Sequence, residues 1–126
     1  MASKYRLLVV DDDPLNTRTL CEIFTLNGYE TLAAHSGREA LKILKRTHIS
    51  CLISDIKMPE MNGVELLRAV KAFQPDILFI LMTAYSDGDL IVQGVKEGAL
   101  VTLIKPLEVD RLLAQIAQIL KSQYPR

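Results

Sequence analysis

Five short apolar runs, at residues 5–10, 30–34, 49–54, 77–83 and 100–104, constrain this chain more than any other feature. Most are continuous rather than alternating. A strand with one wet face alternates apolar and polar residues, whereas a continuous run suits a strand covered on both faces. The second run, ETLAA, is the least apolar and suits a position nearer an edge. Helical patterns fill the gaps. Asp13 can cap a first helix with Pro14 at its first position, where a missing N–H costs nothing. Ser36 and Glu39 have the spacing of a capping box, followed by Ala40, Leu41 and Leu44. Asn62 with Glu65 can cap a third helix carrying Val64, Leu66, Leu67, Val70 and Phe73. Ser86 can cap a fourth, with Leu90, Ile91 and Val95 behind it. A last helix sets Val109, Leu112, Leu113, Ile116, Ile119 and Leu120 along one stripe. Gly28 and Gly98 stand where helix stops belong. The order is β-α repeated five times, and right-handed crossovers turn it into a parallel sheet with helices on both faces.

The 126 residues suit one domain, 1–126, with its core over about 5–120 and residues 122–126 as a frayed end. There is no repeat, low-complexity stretch or linker. Fifteen basic and fifteen acidic residues leave a formal net charge of zero, without the basic footprint of a broad nucleic-acid surface. Cys21 and Cys51 have no metal-ligand spacing and read as reduced, buried small hydrophobes. The opening MASKYR lacks the apolar core of a signal peptide, and no apolar run approaches the roughly 20 residues of a membrane helix. A cytoplasmic protein is expected. His35 and His48 lack ligand partners in sequence and are taken as surface residues.

Polar residues follow the strands in a pattern. Asp11 and Asp12 follow the first, Asp55 the third and Lys105 the fifth, while Thr83 ends the fourth. The carboxyl ends of an open parallel sheet share one rim, where ligands bind. A lone Asp after a strand is commonly a turn residue, and a lone Lys is commonly solvated. Four such positions on four strands are harder to dismiss together. Three carboxylates against one ammonium leave two net negative charges, which one divalent cation balances. Oxygen-only ligands favour Mg²⁺ or a similar hard ion such as Mn²⁺.

At this point the chain resembles a known family. VVDD at 9–12, ISDIKMPEMNG at 53–63, LMTA at 81–84 and IKP at 104–106 look like the markers of the response-regulator receiver domain of two-component signalling. The resemblance implies a flavodoxin-like (βα)5 fold, an α/β doubly wound five-stranded parallel sheet of order 2-1-3-4-5. It implies that Asp55 is a phosphoacceptor served by a histidine kinase or phosphotransfer protein. Asp11, Asp12, Asp55 and the Lys57 carbonyl would hold Mg²⁺. The Thr83 hydroxyl, the Ala84 N–H and Lys105 would hold the phosphoryl oxygens, and Lys105–Pro106 would be cis. Residues two after Asp55 and two after Thr83, Lys57 and Tyr85, tune phosphoryl lifetime in the family. Output would pass through the fourth helix, fifth strand and fifth helix, with Leu90, Ile91, Lys96, Thr102 and Arg111 as candidates. A kinase helix would dock near Asn16, Arg18 and Thr19. Homodimerisation after phosphorylation is common in such proteins. A separate output domain or target protein would carry the response, with no nucleic-acid or membrane binding by this domain.

Three positions depart from the family pattern. Thr102 stands where an aromatic switch residue is usual, Leu107 replaces a common Phe, and Asn62 replaces a common Asp. Thr102 and Leu107 keep open a receiver fold used only as a docking module. A Mg²⁺-dependent aspartyl phosphatase with Asp11 as nucleophile is a second alternative. Its Asp-x-Asp-x-Thr/Val pattern fails at Leu15, and it leaves Asp55 idle. Flavin binding fares worse, since the rim is acidic and no Ser/Thr-rich phosphate loop follows the first strand.

Overall fold

The computed structural model describes residues 5–84 and 87–124. Ten elements alternate: β1 (Arg6–Val10), α1 (Pro14–Leu26), β2 (Glu30–Ala34), α2 (Gly37–Arg46), β3 (Cys51–Asp55), α3 (Gly63–Phe73), β4 (Leu78–Thr83), α4 (Gly88–Glu97), β5 (Val101–Ile104) and α5 (Val109–Gln123). The sheet is parallel throughout, in the order β2-β1-β3-β4-β5. β2, the least apolar run, is an edge strand, as expected.

Strand side chains alternate between two cores because the pleat has a period of two. Leu8, Val10, Leu52, Phe79 and Leu81 pack with α2 and α3 on one face. Leu7, Val9, Ile53, Ile80 and Met82 pack with Phe24 of α1 and with Leu112 and Ile116 of α5 on the other. The interiors of the three inner strands are almost wholly apolar, Ser54 excepted, so the charged groups that follow them gather at one rim.

The caps form largely as read. Asp13 accepts from the Leu15 N–H with Pro14 in the first turn. Asn62 and Glu65 make a complete capping box. At α2 only half of the box forms: Ser36 accepts from the Glu39 N–H, but Glu39 takes the His35 N–H at 2.6 Å. Ser86, expected to cap α4, lies outside the described residues, and the position before that helix belongs to Asp87. Gly98 ends α4 with φ 105°, a left-handed conformation open to glycine.

Three expectations change. Phe73, Val95 and Val109 are exposed rather than inward, and Phe73 and Val109 are the terminal residues of their helices. Cys21 is only half-buried, while Cys51 is fully buried. Residues 122–124 are not frayed: α5 runs to Gln123, and the Tyr124 hydroxyl donates to the Ser50 carbonyl at 2.8 Å while its ring packs on Tyr5. His35 is exposed as expected, yet its Nε2 meets the Thr17 hydroxyl at 3.1 Å. Among the described residues no helix is long and apolar enough to cross a membrane.

Candidate functional site

Asp11 is the first residue past β1, and its N–H donates to Ala34 at 3.1 Å, which fixes it against β2. Its carboxylate is buried and already engaged. The Asp13 N–H donates to it at 3.0 Å and Asn16 Nδ2 at 3.3 Å. Asp12, one residue on, is exposed. Asp55 ends β3, 8 % exposed, and the next N–H, that of Ile56, donates across to Met82 at 2.9 Å. Lys105 lies past β5, where its N–H donates to Thr83 at 2.8 Å, and its bond to Pro106 is cis. These ties deliver the Lys105 ammonium to 3.2 Å from Asp55 and 3.8 Å from Asp11.

Gly63 makes the close approach of α3 to this rim achievable. A Cβ there would lie 2.4 Å from the Asp55 carbonyl oxygen and 2.9 Å from Ile56 Cα. Only a hydrogen fits, and the Gly63 N–H uses the proximity to donate to Ile56 at 2.8 Å.

Burial pushes the Asp55 carboxyl above its usual range; Lys105 pulls it back, and Asp11 and Asp12 push it up again. Asp11, Asp12 and Asp55 each offer an oxygen, all within 4.8 Å of one another. An all-oxygen, carboxylate-rich donor set of this kind suits a small hard cation with water completing its shell.

The rim holds a fourth acid, one that the sequence reading passed over. Thr83, fully buried, follows Phe79 and Leu81 on the face covered by α3 and α4. Its hydroxyl makes a short hydrogen bond to Asp87 Oδ2. The Ala84 carbonyl also lies within reach at 3.1 Å, but one proton serves one acceptor, and the carboxylate is the stronger. The other Asp87 oxygen faces the Lys57 ammonium at 3.4 Å. The Thr83 hydrogen bond and Lys57 together hold the Asp87 carboxyl below its usual range despite its burial. The signal was legible as an acid four residues after Thr83, directly ahead of a helix. Ala84 is exposed at the rim. Tyr85 lies outside the described residues.

The candidates for partner surfaces separate cleanly. Asn16, Arg18 and Thr19 are exposed on α1. Asn16 and Thr19 line a groove of about 560 Å³ that runs from Asp11 and Lys105 to Leu107 and Val109 of the α5 side. Leu90 and Ile91 pack against the core and do not face outward. Val92, Val95, Leu100 and Ile104 are the exposed apolar residues of the α4–β5 side, with Lys96 and Arg111 exposed beside them. The Thr102 hydroxyl is buried and has no hydrogen-bond partner among the described residues.

Residues 7–117 match the family model described as the response regulator receiver domain. The chain belongs to the response regulator receiver domain family. This receiver is 39% identical over 114 residues to the transcriptional regulatory protein ZraR of Klebsiella oxytoca, covering 90% of this chain and 26% of that protein. It spans about a quarter of the length of the transcriptional regulators it matches first. It is 35% identical over 107 residues to sporulation initiation phosphotransferase F of Bacillus subtilis (strain 168), covering 85% of this chain and 86% of that one. A CheY-like receiver domain protein of Methanospirillum hungatei JF-1 superposes with a TM-score of 0.91 at 30% identity, over 96% of this chain and 97% of the other. The receiver is thus a signalling protein of two-component systems with the flavodoxin-like fold.

Proposed function

We propose that this receiver, as a single domain over 1–126, accepts a phosphoryl group on Asp55 from a phosphohistidine of a histidine kinase or phosphotransfer protein. The observation that carries the reading is the Lys105 ammonium 3.2 Å from Asp55, at a rim where three carboxylates converge. An Asp55 oxygen attacks phosphorus, the phosphorus–nitrogen bond breaks, and the imidazole leaves with the electron pair. A carboxylate nucleophile needs no general base. The transition state spreads charge over the equatorial oxygens, so positioning and electrostatics do most of the work. Lys105 neutralises one oxygen, and the Ala84 N–H and Thr83 hydroxyl are assigned to the others. Asp11, Asp12, Asp55 and the Lys57 carbonyl would hold Mg²⁺, or Mn²⁺, which supplies charge neutralisation on the transferring group. The groove beside α1 fits the partner's helix, and the exposed α4–β5–α5 side fits an output domain, a target protein or a second copy.

Against the aspartyl-phosphatase alternative, the Asp11 carboxylate already accepts from the Asp13 N–H and Asn16, which favours Asp55 as the nucleophile. The test is intact mass after incubation with acetyl phosphate, with and without Mg²⁺, beside Asp55→Asn. A Mg²⁺-dependent gain of one phosphoryl group, lost in the variant, is expected. No gain in folded protein, and no beryllofluoride uptake, would leave the docking-module reading.

A further inference from the structure

Four of the five helices begin alike. Asp13, Ser36, Asn62 and Glu108 hold extended backbone, and each side chain accepts an N–H from the first turn of its helix. α4 is the exception. Asp87 has φ −102° and ψ 39°, and its side chain caps nothing. An aspartate is among the best residues for that task. Its carboxylate is instead turned inward, where the Thr83 hydroxyl and Lys57 occupy both oxygens. α4 is also lightly attached: Gly94 is its only buried residue, with Leu90 and Ile91 partly buried.

We propose that Asp87 is a positioning residue that exchanges partners: it holds the Thr83 hydroxyl in the resting protein and caps α4 once Thr83 turns to the phosphoryl group. The exchange rests on the phosphoacceptor reading above. One carboxylate cannot serve both, because the inward rotamer and the capping one point in different directions. The capping arrangement needs Asp87 to rotate toward the extended backbone of the other four caps, which re-aims the first turn of α4. Charge at Asp55 is thereby converted into a change at the start of the exposed α4–β5 side. Thr102, which offers no aromatic ring to move, is not required for it.

The test is amide hydrogen exchange at Asp89 and Leu90, the two N–H groups an Asp87 cap would reach, read by NMR. In resting protein both should exchange fast. With beryllofluoride and Mg²⁺ they should slow about fivefold or more, as a typical cap implies. Thr83→Val removes the buried partner of Asp87 without any phosphoryl analogue, leaving only the exposed Lys57, and should slow them by itself. Asp87→Ala should leave them fast with beryllofluoride bound, and Asp87→Asn, which can still cap, should restore the slowing. Should Thr83→Val fail to fold, Thr83→Ala takes its place. Unchanged exchange in the folded Thr83 variant, or full protection in Asp87→Ala, overturns the proposal. Bound beryllofluoride is followed separately by its ¹⁹F signal. Its absence in wild type would defeat the phosphoacceptor reading, while the Thr83 variant still decides whether the exchange exists.

Discussion

Asp55 is held in a conflict that its neighbours only partly resolve. Burial and two nearby acids oppose its charge, and one lysine supports it. A carboxyl whose pKa is raised on folding contributes stability below its unfolded pKa and loses it as pH rises through the folded value. At neutral pH the charged site therefore works against the fold. In metal-free buffer at pH 7, Asp55→Asn should raise Tm by about 2–5 °C. The gap should close below about pH 4; calorimetry across that range checks both. Cys51 supplies a second case of the same sign, displaced to high pH, for a group remote from the site. Burial pushes its thiol up to about 12 from 9.0. Stability held by the neutral thiol is complete below about pH 9 and falls as pH rises toward 12. Cys51→Ala should flatten urea-measured stability between pH 9 and 11. At pH 8 a thiol reagent should label Cys21 in native protein and reach Cys51 only after unfolding, as mass spectrometry would read.

At the scale of elements, α3 is the support for the site. Its capping box satisfies two backbone groups at the end nearest Asp55, and Gly63 lets that end touch β3. Asn62→Ala should cost about 1 kcal/mol. Gly63→Ala meets backbone rather than a flexible side chain, so about 1–3 kcal/mol is expected, together with slower phosphorylation because the end of β3 must shift. Denaturant unfolding and acetyl-phosphate kinetics on the two variants separate loss of stability from loss of geometry. Asn62→Ala should weaken the fold with little change in rate, and Gly63→Ala should lower both.

For the whole molecule the rim is a net-negative site built from four strand ends. A cation that binds only the folded state stabilises it by about 2.7 kcal/mol at a hundredfold excess over Kd. Mg²⁺ should therefore raise Tm reversibly, EDTA should remove the gain, and Asp12→Asn should abolish most of it. Were Asp12→Asn to keep the full gain, the ion would lie elsewhere.

The five continuous runs, the caps at Asp13 and Asn62, and the acids and lysine at the strand ends were all legible in the sequence. Burial on both faces writes itself as unbroken apolar composition, and a strand terminus writes itself as the first charge after it. Those signals are local, and they were enough for the fold class and the family likeness. Tertiary structure alone decided which way side chains turn where two partners compete. Asp87 could have capped α4 but points to Thr83; Glu39 could have closed a box on Ser36 but reaches His35; Leu90 and Ile91 turn inward while Val92 and Val95 stay out. The two polar choices pair residues only four apart, and spacing leaves them open because it does not fix a rotamer; the apolar choice is made by the core that packs beneath α4.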